Sequence, residues 1–253
     1  MKKGTSWEAA EESYNRCVGE NGHYYHQAVI LPSTLRLLDL TPKSTGALLD
    51  LGCGQGVLAR QIPQTVHYWG VDASPSLIRD AQKLTKGAHR EFVVGDATAQ
   101  LPVKKTDFDW AVMILCLQNM EEGAKAVANA VRSLKKGGKL LIVLNHPCFR
   151  IPRQSSWGFD EATQIQYRKM NGYMSPQKIP IQMEPGKGEK SSTTYSFHHP
   201  LSTYITWFSQ AGLAVEGMEE WCSDKKSEGS KARMENRARK EFPLFLALLG
   251  FKL

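Results

Sequence analysis

Leu48-Leu49-Asp50-Leu51-Gly52-Cys53-Gly54-Gln55-Gly56 is the stretch that decides the fold of this 253-residue chain. An apolar run around a single acid leads directly into a loop with glycine at every second position. Glycine lacks a Cβ, so such a loop can turn tightly and its backbone can approach a ligand. The stretch therefore predicts a buried strand with a ligand-binding turn at its carboxyl end.

Short apolar runs alternate with helix-length segments around and beyond this stretch. The runs are Ala47–Leu51, His67–Val71, Glu91–Val94, Phe108–Leu115 and Leu140–Leu144. Runs that are apolar on both faces indicate a parallel sheet covered on both sides. Ser74-Pro75 is typical of a helix start, and Lys135-Lys136-Gly137-Gly138 of a helix end. The predicted fold class is α/β, a doubly wound Rossmann-like sheet with helices on both faces.

Composition narrows the class of protein. The chain carries a net charge of +7 and five scattered cysteines, without a Cys-x-x-Cys pair. Its start lacks the apolar stretch of a secretory signal, and no window approaches the ~18 apolar residues of a membrane span. We therefore expect a cytoplasmic protein with no membrane span and no metal site. The basic charge is compatible with RNA or an anionic substrate, but the lysines and arginines are interleaved with acids, and no DNA partner is expected.

Two more acids stand at predicted strand ends, Asp72 after the second strand and Asp96 after the third. A carboxylate in the position of Asp72 can accept both hydroxyls of a ribose. The dinucleotide fingerprint G-x-G-x-x-G would need glycine at position 57, where Val57 stands. The glycine spacing therefore disfavours a nicotinamide-dependent oxidoreductase, which remains an alternative.

The glycine loop and the two acids resemble the pattern of the class I methyltransferase family, D-x-G-x-G-x-G with a later acid and a G-D-A turn. The resemblance covers about 46 to 145. It implies S-adenosylmethionine as the cofactor and a sheet of seven strands, the last antiparallel. Leu213–Glu220 and Leu244–Phe251 would supply strands six and seven of that sheet.

The same resemblance implies a set of cofactor contacts. The backbone of Gly52–Gly56 would approach the methionine part, Asp72 would hold the ribose, and the Asp96-Ala97 turn would lie against the adenine. Asp50 would lie near the methionine end, or would only order the loop. The full set of expected cofactor-binding residues is Asp50, Gly52, Cys53, Gly54, Gly56, Asp72, Ala73, Asp96, Ala97 and Leu115.

We expect one domain over residues 1–253, divided into four parts. The parts are N-terminal helices at 1–45, the first opened by Thr5-Ser6-Trp7-Glu8, a cofactor-binding half at 46–145, an insertion at 146–199, and a C-terminal helix and strand hairpin at 200–253. The insertion follows strand five and shows no clear strand or long helix. Loops of this length in compact domains are often lids.

Methyl transfer is an in-line displacement that depends chiefly on holding the two reactants together. The segment after strand four, Leu115 to Met120, lacks the Asn/Asp-Pro-Pro motif of some amide and amine methyltransferases. His146, directly after strand five, is the candidate catalytic residue. The aromatic and methionine side chains of the insertion predict a lid over a small apolar or aromatic acceptor. Basic residues there, Arg150, Arg153, Arg168 and Lys169 among them, leave room for a carboxylate or phosphate on that acceptor.

Two further alternatives to a small-molecule methyltransferase stay open at this point. One is an RNA methyltransferase, which would present a basic face with exposed aromatic side chains beside the cofactor. The other is a module that binds the cofactor or its product without catalysis.

Overall fold

A seven-stranded sheet forms the centre of the computed structural model, which describes residues 7–183 and 191–253. Four more strands form two separate hairpins. The strands are β1 Gly46–Leu51, β2 Val66–Asp72, β3 Arg90–Val94, β4 Phe108–Ile114, β5 Leu134–Asn145, β6 Ser155–Asp160, β7 Ile165–Met170, β8 Gln177–Gln182, β9 Thr193–His198, β10 Leu213–Trp221 and β11 Phe245–Lys252.

The helices lie between these strands and before them. They are α1 Glu11–Val18, α2 Leu31–Leu37, α3 Pro75–Leu84, α4 Gly123–Ser133, α5 Leu201–Gln210 and α6 Ala232–Glu241. Short 3-10 turns cover Trp7–Ala10 and Leu117–Asn119, and a π-helical turn covers His26–Ile30. None of the helices in the described ranges is long and apolar enough to cross a membrane.

The strands of the central sheet follow the order β3-β2-β1-β4-β5-β11-β10. The first five strands in the chain pair in parallel, whereas β11 runs antiparallel to both of its neighbours, β5 and β10. The chain reverses its direction of travel across the sheet between β1 and β4, and this switch point is where open α/β sheets bind ligands. The predicted seven-stranded, doubly wound sheet with its last strand antiparallel is confirmed.

Both faces of the sheet are buried, as its apolar runs predict. Leu48 belongs to a cluster on one face, which includes side chains from α2 and α3. Its neighbour Leu49 belongs to the cluster on the other face, which includes side chains from α4 and α5. Successive strand residues point to opposite faces, so each short run contributes to both clusters.

The insertion is the part of the chain where the sequence interpretation is wrong. Residues 146–199 were expected to hold no clear strand, but β6 pairs with β7 and β8 pairs with β9 in antiparallel hairpins. The strands β6 and β7 contain no buried residue, so they lack the apolar alternation that signals a strand. The turn between them is instead fixed locally by Asp160, whose carboxylate accepts the backbone N–H groups of Ala162 and Thr163.

The first predicted helix begins with a capping box of which Thr5 and Ser6 lie outside the described residues. The acid of this box, Glu8, lies in the 3-10 turn and accepts hydrogen bonds from Ser74 and Ser76 at the start of α3. The helix ends at Val18, and Gly19 follows at a φ of +62°, a conformation that favours glycine.

Candidate active site

The glycine loop turns back at the carboxyl end of β1 in a backbone conformation that other residues disfavour. Gly52, Gly54 and Gly56 have φ values of +77°, +53° and +77°. A Cβ at Gly52 would lie 2.5 Å from Cys116 Cβ, and one at Gly54 would lie 2.8 Å from Tyr14 Oη. Conformation and space both require glycine here, because Cys116 and Tyr14 stand where the Cβ atoms would lie.

Asp72 stands at the carboxyl end of β2, beside the loop. Its Oδ2 accepts the Gly54 N–H at 2.9 Å and its Oδ1 accepts the Ser74 N–H at 2.9 Å. Burial raises the pKa of Asp72, while these backbone donors act against the rise. An ionised carboxylate has about four acceptor sites, so Asp72 retains the capacity to accept two hydroxyls.

Asp50 is almost fully buried at the end of β1, with 3% of its surface exposed. Its Oδ2 accepts the hydroxyl of the buried Tyr68 at 2.6 Å. Burial, with the nearby negative charge of Asp72, raises the pKa of Asp50 to about 7. A cation beside this carboxyl would favour its ionised form.

The Asp96-Ala97 turn follows β3 on the same edge of the sheet. The exposed Asp96 accepts the Thr98 N–H at 2.8 Å and the Thr98 hydroxyl at 2.7 Å. Asn129 of α4 donates to the carbonyls of Ala97 and Ala99 at 2.7 and 2.6 Å. Sequence reasoning missed Asn129, whose only signal is a buried amide on the apolar face of α4.

The residues after β4 form the next part of the edge. Leu115 has a φ of +54°, a strained value for a branched side chain, and its carbonyl accepts amide hydrogens from Gln118 and Asn119. The Oε1 of Gln118 is buried and has no hydrogen-bond partner in the described ranges. Such strain and such an unpaired oxygen are typical of functional sites. Sequence reasoning did not single out Gln118.

Cys53 and Ala73, two further residues of the predicted cofactor-binding set, present their backbone to the candidate site more than their side chains. The Cys53 side chain is 8% exposed and packs toward Gly70, whose Cβ would lie 2.8 Å from Cys53 Sγ. Ala73 is exposed directly after Asp72. The structure thus brings the predicted cofactor-binding residues together along the carboxyl ends of β1 to β4.

The N-terminal segment covers this edge, a contact that the sequence did not reveal. Tyr14 of α1 lies against Gly54, and its ring meets Trp7 edge to face at 6.0 Å. Burial and the nearby charge of Asp72 raise the pKa of its hydroxyl. Glu8 holds the segment to α3, as described above, and Ser192 Oγ donates to the Ala9 carbonyl at 2.7 Å.

His146, the candidate catalytic residue, is buried, with 1% of its surface exposed. Its Nδ1 accepts the Cys148 N–H at 3.2 Å, which leaves Nε2 to donate to Glu220 Oε1 at 2.7 Å. Burial lowers its pKa despite the Glu220 carboxylate. Both ring nitrogens are thus engaged within the protein, an arrangement that favours a positioning role for His146.

The side chains of the insertion divide between packed and exposed. Phe197 and Ile179 are buried, whereas Trp157, Tyr167 and Met174 are at least 42% exposed. The β9 strand lies close to the Leu117–Asn119 turn after β4. The insertion therefore reaches the predicted site, and its role as a lid stays a prediction.

A doubly wound sheet with a glycine loop and acids at its switch point defines a Rossmann-like protein that binds a nucleotide-type cofactor. Residues 49–142 match the family model described as a methyltransferase domain. The fold resembles that of an S-adenosylmethionine-dependent methyltransferase from Mesorhizobium loti, with a TM-score of 0.69, 19% identity and coverage of 89% of this chain and 99% of that one. The predicted resemblance to class I S-adenosylmethionine-dependent methyltransferases is therefore confirmed, and residues 49–142 carry the sequence match to a methyltransferase domain.

Curated relatives share the domain but differ in their named substrates. The mouse 18S rRNA (guanine-N(7))-methyltransferase is 31% identical over 93 residues, which are 36% of this chain and 32% of the relative. The demethylmenaquinone methyltransferase of Tropheryma whipplei is 29% identical over 102 residues, 40% of this chain and 42% of the relative. The match thus spans less than half of either relative.

Proposed function

We propose that the protein transfers a methyl group from S-adenosylmethionine to a small-molecule acceptor. The observation that carries the proposal is the pairing of the Gly54 N–H with Asp72 at the end of the glycine loop. This bond joins the two elements that would hold the methionine part and the ribose. Glycine is required on both sides of this bond, because Cys116 and Tyr14 stand where Cβ atoms of Gly52 and Gly54 would lie.

The residues at this edge fit the proposed cofactor from end to end. The Asp72 carboxylate would accept the ribose hydroxyls, and the turn fixed by Asn129 would receive the adenine. Asp50 would face the charged methionine end. Bound there, S-adenosylmethionine supplies an electrophilic methyl group on a sulfonium.

The protein's own contribution is to position the acceptor and exclude water. Transfer from a sulfonium needs no Lewis acid, and positioning can account for ~7–11 kcal/mol of the barrier. The segment with Glu8 and Tyr14 would cover the cofactor, and the hairpins would cover the acceptor. His146 would act by fixing the turn after β5, with its ring held by Glu220 and Cys148.

Coverage of the site favours a small acceptor over RNA. The Ser192 to Ala9 hydrogen bond links the residue before β9 to the N-terminal segment, whose Tyr14 lies against Gly54. An RNA nucleotide would need an open groove along which its flanking phosphates could lie. RNA is nevertheless kept as the second candidate, because the mouse relative is named for rRNA. A cytoplasmic location also stays a prediction.

A methyl-transfer assay tests the proposal directly. Purified protein with S-adenosylmethionine labelled on the methyl group is incubated with either a small-metabolite extract or total RNA. We expect label in the small-molecule fraction, lost in Asp72→Ala and kept in Glu91→Ala, whose exposed acid lies near the start of β3, away from the candidate site. Label in RNA alone would favour the second candidate. Cofactor binding without transfer to either fraction would favour a non-catalytic module.

A further inference from the structure

A small cavity lies between the start of β11 and the β6–β7 hairpin. Its volume is about 200 Å³, and its lining is Phe149, Arg150, Trp157, Arg168, Phe242, Pro243 and Leu244. An apolar cavity of ~150 Å³ holds a benzene ring, so this one has room for a ring or short chain with one charged group. Two arginines in so small a space set it apart from an ordinary packing defect.

Arg168 is fixed in the wall of the cavity. Its Nε donates to the Phe149 carbonyl at 2.8 Å and its Nη2 donates to Ser155 Oγ at 2.9 Å. The guanidinium lies 4.9 Å from the centre of the Trp157 ring. These contacts fix its orientation, and no carboxylate in the described part of the chain pairs with the charge.

Arg150 is the more exceptional of the two. Its half-buried guanidinium makes no hydrogen bond or ion pair with any residue in the described ranges, and it lies 5.8 Å from the centre of the Phe245 ring. Burial and the like charge of Arg168 lower the pKa of Arg150. Burying a cation without a counter-ion is costly, and proteins ordinarily pair such groups.

The described part of the chain therefore supplies no anion for either arginine. We propose that this cavity binds the anionic end of the acceptor, a carboxylate or phosphate attached to an aromatic or other apolar body. The proposal rests on the proposed function, since it names the acceptor class. Arginine forks bind both anions through paired hydrogen bonds, and the rings of Phe149, Trp157 and Phe242 would pack against the apolar body.

The position of the cavity suits this role. The cavity lies beside Leu244, next to the first residue of β11, and β11 lies two strands from β4. Neighbouring strands are ~4.8 Å apart, so the start of β11 lies roughly 10 Å from the end of β4, one of the strands whose carboxyl ends carry the candidate cofactor site. That distance suits the far end of a small acid. The small size of the cavity disfavours an RNA phosphate, whose flanking nucleotides need open space.

Titration with simple probes tests the assignment. Benzoate, phenyl phosphate and neutral benzamide are titrated by ligand-observed NMR, with and without S-adenosylhomocysteine. We expect the wild type to bind at least one charged probe at least tenfold more tightly than benzamide. The ratio of the affinities for benzoate and phenyl phosphate then shows whether the cavity prefers a carboxylate or a phosphate. Arg150→Gln should weaken that binding at least tenfold, and Arg150→Lys, which keeps the charge but loses the fork, should weaken it less.

Arg153→Gln is the matched control, because Arg153 is an exposed arginine of the same segment and does not line the cavity. It should bind the probes like the wild type, and unfolding midpoints verify that every variant folds. Equal binding of charged and neutral probes, or unchanged binding in Arg150→Gln, would overturn the proposal. Displacement of the charged probe by a short RNA, dependent on Arg150, would overturn the small-molecule assignment. Failure of S-adenosylhomocysteine to bind would instead count against the proposed function, because the probes are also scored without it.

Discussion

Burial raises the pKa of two carboxyls at the carboxyl ends of neighbouring strands, but the two differ in their hydrogen-bond donors. Asp72 is stabilised in its ionised form by two backbone donors. Asp50 accepts the Tyr68 hydroxyl and is buried beside the charge of Asp72. Near neutral pH, Asp50 is therefore close to its pKa. Ionising this buried carboxyl costs free energy, so the free energy of unfolding should fall as the pH rises.

Asp50→Asn tests this cost. The pKa of Asp50 is raised from 3.8 to about 7, so its protonated form stabilises the fold below pH 4 and that contribution is lost as the pH rises to about 7. Asparagine cannot ionise and can still accept the Tyr68 hydroxyl. We expect urea unfolding to show the variant more stable than the wild type at pH 8, by up to about 4 kcal/mol, with no difference near pH 4. A difference independent of pH would contradict this prediction.

His146→Gln separates positioning from direct catalysis. The substitution removes a buried ring that accepts the Cys148 N–H and donates to Glu220. We expect the free energy of unfolding to fall by ~1–3 kcal/mol, with turnover of the acceptor largely retained in the folded fraction. Unchanged stability together with a turnover loss of a hundredfold or more would instead identify His146 as a catalytic residue.

The sequence predicted the residues whose role is set locally. The glycines, Asp50 and Asp72 stand at fixed positions next to strands, so their placement follows from the strand pattern. Tyr14 and Asn129 could not be predicted, because their contacts join distant parts of the chain. Arg150 was noted only as one of several basic residues, since nothing in the sequence indicates which arginine lacks a partner.

At the scale of elements, the parallel strands were predictable and the hairpins of the insertion were not. The buried strands carry a continuous apolar signal, whereas β6 and β7 are stabilised by pairing and by the Asp160 turn. Both hairpins are antiparallel and short, so they can form without a core of their own only when they pack on the domain.

Gly52→Ala measures the constraint on the loop that joins β1 to the site. Gly52 has a φ of +77° and no space for a Cβ beside Cys116. Gly137→Ala is the matched control, because Gly137 has a φ of +74° with nothing within 4 Å of its Cβ position. Urea unfolding should show a loss of ~1 kcal/mol for Gly137→Ala and at least ~2 kcal/mol for Gly52→Ala. Equal losses would show that conformation alone requires glycine.

Limited proteolysis tests whether the insertion is a lid. A lid opens to admit the acceptor, so cleavage in the free protein should fall between His146 and His199. We expect cleavage to slow when S-adenosylhomocysteine and a charged probe are both present, and less with either alone. Mass spectrometry of the fragments identifies the sites. Equal protection in the free and bound states would contradict the lid.

The whole molecule is organised around one edge of its sheet. Apolar runs that bury both faces dictate the parallel sheet, and the sheet brings the carboxyl ends of β1 to β4 together. The N-terminal segment contacts that edge through Tyr14 and Glu8, and Ser192 of the insertion contacts the N-terminal segment. The fold could be predicted because the same apolar run recurs in every parallel strand. The contacts of the N-terminal segment and of the insertion could not, because they join distant segments of the chain.

Calorimetric titration of the wild-type protein with S-adenosylhomocysteine, beside Asp72→Ala and the exposed control Asp160→Ala, tests the central claim most directly. Asp72→Ala removes an acceptor of charge-assisted hydrogen bonds, each of which contributes ~1.5–3 kcal/mol. We predict saturable binding at one site in the wild type and the control, weakened at least tenfold in a folded Asp72→Ala. No binding to the wild type at millimolar concentration, or equal affinity in Asp72→Ala, would contradict the account.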